Sequence, residues 1–203
     1  MSQFAKKRIL ALGLVLLGGC VVQSFYPFYT DEAKVSLPSI AGSWQPIDKD
    51  SPANTAERPW VFTTRADGQY EFLTYDKDKP GKLKATFFKV GTNLFCDFSP
   101  ADVLPEDAKI NGYWAFHVRP VHSVARVETN SDRLTFVPLS FDWVRAAVQS
   151  NQVTLAHLQG KEKDDLLFTA RPQEWSKFLA DHAANTNAFK PDSAYAFRRS
   201  KTQ

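Results

Sequence analysis

Trp60-Val61-Phe62-Thr63-Thr64-Arg65-Ala66-Asp67-Gly68-Gln69-Tyr70-Glu71-Phe72-Leu73-Thr74-Tyr75 decides the fold. Two runs rich in aromatic and β-branched residues flank Asp67-Gly68, a step that readily supplies the positive φ a tight turn needs, so the stretch reads as a β-hairpin. The same grammar continues. Asp76-Lys77-Asp78-Lys79-Pro80-Gly81 reads as a turn into a strand over Lys82–Val90, where adjacent Phe87 and Phe88 must point to opposite faces. Gly91-Thr92-Asn93 turns into Leu94–Phe98, and a longer loop over Ser99–Asn111 carries Asp102, Glu106 and Asp107, acids that lack the alternating spacing of a calcium loop and read as solvated. Strands follow at Tyr113–Arg119, Val121–Thr129 and Arg133–Leu139, with Asn130-Ser131-Asp132 between the last two. Consecutive short strands joined by tight turns predict an antiparallel meander.

Two helices punctuate the C-terminal third. Ser140 is placed to cap a helix whose Phe141, Val144 and Val148 recur at helical spacing. After strands at Val153–Leu158 and Leu166–Ala170, Pro172 opens a second helix with Trp175, Phe178, Leu179 and His182 on one stripe. His182 on that stripe reads as a packed histidine. A last strand, Tyr195–Arg198, closes the domain, and Arg198-Arg199-Ser200-Lys201 reads as a solvated end. The class is therefore mainly β with two α-helices packed on the sheet.

The N-terminus has a different character. Lys6-Lys7-Arg8 precedes an apolar run, Ile9 to Gly19, that ends at Cys20 and is far shorter than the ~20 residues a membrane-spanning helix needs. Leu17-Gly18-Gly19-Cys20 resembles the lipobox of bacterial lipoproteins. That resemblance implies that residues 1–19 are a signal peptide, that Cys20 carries a diacylglyceryl thioether and an N-acyl group, and that the partner is a membrane reached through this lipid. Val21 in place of an aspartate after the cysteine implies the outer membrane, facing the periplasm, in a Gram-negative source. Removal of 1–19 takes away three of the 25 basic residues and leaves 22, equal to the 22 acidic ones. The mature balance offers no basic patch for nucleic acid. Residues 20–38 read as a membrane tether, with Phe25-Tyr26-Pro27-Phe28-Tyr29 expected to dock on the domain or rest at the lipid interface, and 39–203 as one β-rich domain.

Gly42-Ser43-Trp44 is similar to the Gly-x-Trp that begins lipocalin-like barrels, in which the Trp plugs one end. This resemblance implies that the meander forms a lipocalin-like open or closed barrel. The strand and helix order from Leu166 onward, with His122 to Val127, resembles uncharacterised bacterial lipoproteins, which implies class and location and no activity.

Alternation over Val121 to Glu128 places His122, Val124, Arg126 and Glu128 on one face and small residues on the other. His122 and Arg126 are thereby candidates to read a polar or anionic ligand inside a barrel, with Trp44 and Trp114 among its aromatic lining; an outer strand face bearing charge pairs is the alternative. Cys96 has no intramolecular partner once Cys20 carries lipid, and reads as a small buried hydrophobe. No phosphate loop, Gly-x-Ser-x-Gly, His-Glu-x-x-His, Cys-x-x-Cys or zinc spacing occurs, so neither a catalytic residue, a metal ligand nor a cofactor is nominated. Two function classes remain. One is a barrel that binds a small apolar or amphipathic ligand, and the other is a filled, non-enzymatic module that serves an envelope assembly.

Overall fold

A computed structural model describes residues 21–47, 58–76, 79–101, 118–162 and 165–200. Residues 1–20, most of the acidic loop, the strand expected at Tyr113 and Trp114 itself lie outside the described residues.

Eight strands close into an antiparallel barrel. They are β2 (Gly42–Ile47), β3 (Trp60–Thr64), β4 (Tyr70–Asp76), β5 (Lys79–Val90), β6 (Asn93–Pro100), β7 (Ser123–Thr129), β8 (Arg133–Pro138) and β11 (Tyr195–Arg199). Neighbours follow chain order from β2 to β8, and β11 closes the ring by pairing with both β8 and β2. The turns are built as their residues demand. Gly68 takes φ 75° while Asp67 Oδ1 accepts the Gln69 N–H, Gly91 takes φ 59°, and Asn130 Oδ1 accepts the N–H groups of Asp132 and Arg133. One turn is tighter than expected. Pro80 and Gly81 pair with Tyr75 and Thr74 and so belong to β5, because the β4–β5 ladder runs on to Asp76 and Lys79.

Outside the barrel lies a second layer. It comprises α1 (Phe141–Gln149), α2 (Pro172–His182) and a three-stranded sheet in the order β1 (Gln23–Ser24), β10 (Leu166–Phe168), β9 (His157–Gln159). Ser140 Oγ accepts the Trp143 N–H as the cap of α1, and Glu174 reaches back to accept the Arg171 N–H at the start of α2. The strand expected over Val153–Leu158 is shorter and displaced to His157–Gln159. Val153 and Leu155 are nevertheless buried, so packing and not pairing explains their apolar character.

The layer gives the molecule two hydrophobic cores on either side of one wall. Along β5, Ala85 and Phe87 point into the barrel, whereas Phe88 points out, against Phe95 and Tyr29. Inside, Trp60, Phe62, Tyr70, Phe72, Phe136 and Phe197 stack on one another, Phe62 on Phe72 at 4.0 Å between ring centroids. Outside, Phe28, Phe168, Trp175, Phe178, Leu179 and Phe189 cover the outer face of β5–β8.

Of the tether expected over 20–38, residues 21–38 are described and run docked along the barrel, one of the two placements expected for Phe25–Tyr29. Val22, Ser24 and Phe28 are buried, β1 pairs in parallel with β10, and Lys34 and Val35 reach β5. The physical reason is composition: a chain with Val22 and Phe28 on one side has apolar area to remove from water, which a solvated linker lacks.

Candidate functional site

His122 and Arg126 do share a face, as alternation requires, but it is the outer face of β7. The lining expected inside the barrel comes instead from their neighbours Ala125 and Val127. Both candidates are engaged in holding the second layer. His122 exchanges backbone hydrogen bonds with Ser24 at 2.8 and 2.9 Å, and its Nδ1 lies 2.8 Å from Asp97 Oδ1. Asp97 is itself buried on the outer face of β6, where its other oxygen accepts the Phe28 N–H at 3.0 Å. Trp175 Nε1 donates to Ser24 Oγ at 3.0 Å and completes the cluster. Four elements distant in sequence thus meet at one polar knot, and every group named in it has a partner.

Arg126 is likewise committed. Its Nη1 donates to the Ala183 carbonyl at 2.7 Å, its Nη2 lies 3.2 Å from Glu128, and its guanidinium sits over the Phe189 ring at 5.7 Å. These contacts tie β7 to the end of α2. They leave the guanidinium fork facing protein, so its geometry is that of a brace.

Trp44 plugs one end of the barrel. It is fully buried, and its indole N–H donates to the Ile40 carbonyl at 2.8 Å. Arg199 lies over it at 4.4 Å from the ring, donates to the carbonyls of Ala41, Ser39 and Ser131, and pairs with Trp44 in the β11–β2 register. Gly42, at φ 119°, sits beneath this arginine, and a Cβ there would come within 3.3 Å of Nη1. Within Arg198-Arg199-Ser200-Lys201 this arginine reads as part of a solvated end; the alternation Tyr195, Phe197, Arg199, which turns half-buried Tyr195 and buried Phe197 inward, is the signal for its place at the barrel mouth.

Cys96 points into the barrel opposite Phe87 and Ala125, and is fully buried. Burial, reinforced by the nearby Asp97 charge, pushes its thiol well above the ordinary range, which keeps it protonated and chemically quiet at neutral pH. Among the described residues no group of three histidine, cysteine or carboxylate side chains is placed to hold a metal ion.

A recess of about 450 Å³ opens outside the barrel beside Val21, with Val121, Phe141, Leu166 and Leu167 as its apolar wall and Gln23, Glu162 and Asp165 at its polar side. No protein family, curated protein or solved structure matches the chain. Function must therefore be argued from this geometry and from the N-terminal sequence.

Proposed function

We propose that this chain is a lipid-anchored lipoprotein of the bacterial cell envelope whose barrel is a solid scaffold for contacts with other envelope components. The observation that carries the scaffold half of this reading is the filled interior. The rings of Phe72, Phe87 and Phe136 each lie within 6.2 Å of the Phe62 ring, and Trp44 with Arg199 shuts the nearby end. Side chains occupy the place where a small-ligand barrel keeps its cavity. His122 and Arg126, the residues nominated to read an anionic ligand, are spent on the second layer. The anchor half rests on Lys6-Lys7-Arg8, the short apolar run and Leu17-Gly18-Gly19-Cys20. Three acyl chains on one residue exceed the single chain that gives only marginal membrane binding.

The test has two arms. The full chain, produced in a Gram-negative bacterium fed an alkyne palmitate, incorporates label that Cys20→Ser loses, and fractionates with the outer membrane. Equal label on both proteins overturns the anchor. Native mass spectrometry of the protein released from detergent gives the mass of chain plus lipid. A further small molecule that survives gentle release and is lost on unfolding overturns the filled scaffold in favour of a ligand-binding barrel.

A further inference from the structure

Only two large hydrophobic side chains are well exposed among the described residues, Phe25 at 41% and Leu158 at 61%. Leu158 lies in β9 and Phe25 directly follows β1, and both face the same side of the small sheet β1-β10-β9. Leu158 is the direct partner of Leu167, which is the direct partner of Gln23, and direct partners project to one side. Phe25 continues the Gln23 side of its strand two residues on, and Val21 precedes it by two, whereas Val22 and Ser24 point inward and are buried. Exposed Phe25 and Leu158, with half-buried Val21 and Leu167, thus form an apolar surface around Gln23 on the outward face of the sheet.

Its position relative to the anchor says what covers it. Cys20 is one peptide unit from Val21, about 3.8 Å between Cα atoms, and Val21 is fixed by its bridge to Ser140. There is no slack between the lipid and the fold. Resting on the lipoprotein reading, we infer that this face of the small sheet lies on the membrane that holds the Cys20 lipid, with Phe25 and Leu158 set into the interface. A bilayer drawn to within one residue of Val21 cannot stand off from side chains on the same face. Aromatic and aliphatic groups are favoured at that depth, and Tyr26, packed against Phe25 at 5.1 Å and covered by the Arg171 guanidinium at 5.7 Å, suits the headgroup level. Charges beside it are of both signs, Arg171 over Tyr26 against Glu162 and Asp165 next to Val21 and Leu167. Apolar contact and not anionic lipid is therefore the driving term.

The experiment places a fluorophore at Leu158→Cys, at Phe25→Cys and, as reference, at Thr63→Cys in the lipidated full chain. Thr63 is an exposed position on β3, four strands around the ring from β7, to which β1 is bridged through His122. Cys96 is buried and stays unlabelled in the folded protein. In phosphatidylcholine vesicles carrying a shallow nitroxide lipid, the dyes at 158 and 25 lose emission and shift to the blue, and the dye at 63 does neither. Equal emission at the three positions overturns the inference while palmitate label in the same preparations leaves the anchor standing. Absence of palmitate label overturns both. A blue shift without quenching that grows with protein density in the membrane shows that a second copy covers the face, and overturns the membrane assignment.

Discussion

Replacing Asp97 by alanine should loosen the N-terminal segment before it damages the barrel. The carboxylate is buried between the two layers, and its two oxygens take the Phe28 N–H at 3.0 Å and the His122 ring nitrogen at 2.8 Å. A hydrogen bond to a charged group contributes about 1.5–3 kcal/mol, and stranding a buried donor costs about 1–3 kcal/mol. Removing the carboxylate strands two donors, but it also relieves the desolvation of a charge, so we expect a net loss of about 2–4 kcal/mol from Asp97→Ala. Asparagine has the same shape. Its carbonyl still accepts from Phe28, and its amide can donate to His122 once the imidazole adopts the other tautomer, which limits the loss to about 1 kcal/mol. Urea unfolding followed by tryptophan fluorescence measures both values. Amide hydrogen exchange at Ser24 and Phe28 localises the effect, with faster exchange there and little change along β3 and β4. A loss below ~0.5 kcal/mol for alanine, or equal losses for alanine and asparagine, would refute the assignment of Asp97 as the joint between the layers.

Three further outcomes follow from other contacts. Arg199→Ala removes three carbonyl partners and the cover over Trp44, and should cost about 2 kcal/mol with a shift in Trp emission; Arg199→Lys should recover less than half, since one ammonium cannot fork to the same carbonyls, and full recovery would contradict the clamp. Cys96 keeps its proton in the folded state to a higher pH than in the unfolded chain, so stability is unaffected at neutral pH and falls as pH rises past about 8.5, with Tyr29, also raised by burial, adding to the fall above pH ~10. Alkaline melts of the wild type and Cys96→Ala check this: the variant should lose the first part of the slope, and identical slopes would refute the buried-thiol account. At neutral pH, iodoacetamide should modify Cys96 only on the unfolding timescale, and rapid labelling of the native protein would show that the barrel interior is open.

Strand and turn chemistry made much of the barrel legible from the sequence. Asp67-Gly68, Gly91 and Asn130 sit where the turns are, and Phe87-Phe88 divides between the two faces as adjacent strand residues must. What alternation leaves open is which face is inside. Along β7 the set Ala125 and Val127 is as apolar as a barrel interior requires, but His122 and Arg126 on the other face are also covered, because β5–β8 are buried on both sides. A polar residue on such a wall then signals a joint between layers as readily as a ligand site. Long-range partners were invisible for a different reason. Arg126 meets a carbonyl 57 residues away and Trp175 a hydroxyl 151 residues away, and no local period encodes such distances. The N-terminal segment is a similar case: Phe25–Tyr29 leave docking on the domain and contact with lipid both open, and the surface that covers Val22 and Phe28 is supplied by elements far away in sequence.

The wall shared by two cores also orders the assembly of the fold. Chain order runs β8, α1, β9, β10, α2 and only then β11, so the closing strand reaches β2 and β8 after the whole second layer has been traversed. Strands β2 to β8 pair with one another in chain order, and the outer face they present, with Phe88, Phe95, Val124 and Val137, is a large apolar patch until it is covered. Pairing β11 with β2 joins residues about 150 apart in sequence, a contact whose loop-closure entropy is reduced once α1 and α2 are already packed on the wall. The layer is therefore a splint that brings Phe197 and Arg199 to the open seam, where one fills the interior and the other locks Trp44. The N-terminal segment enters the same junction through Ser24, His122 and Asp97, so the chain next to the proposed lipid site is held by the contacts that join the layer to the wall.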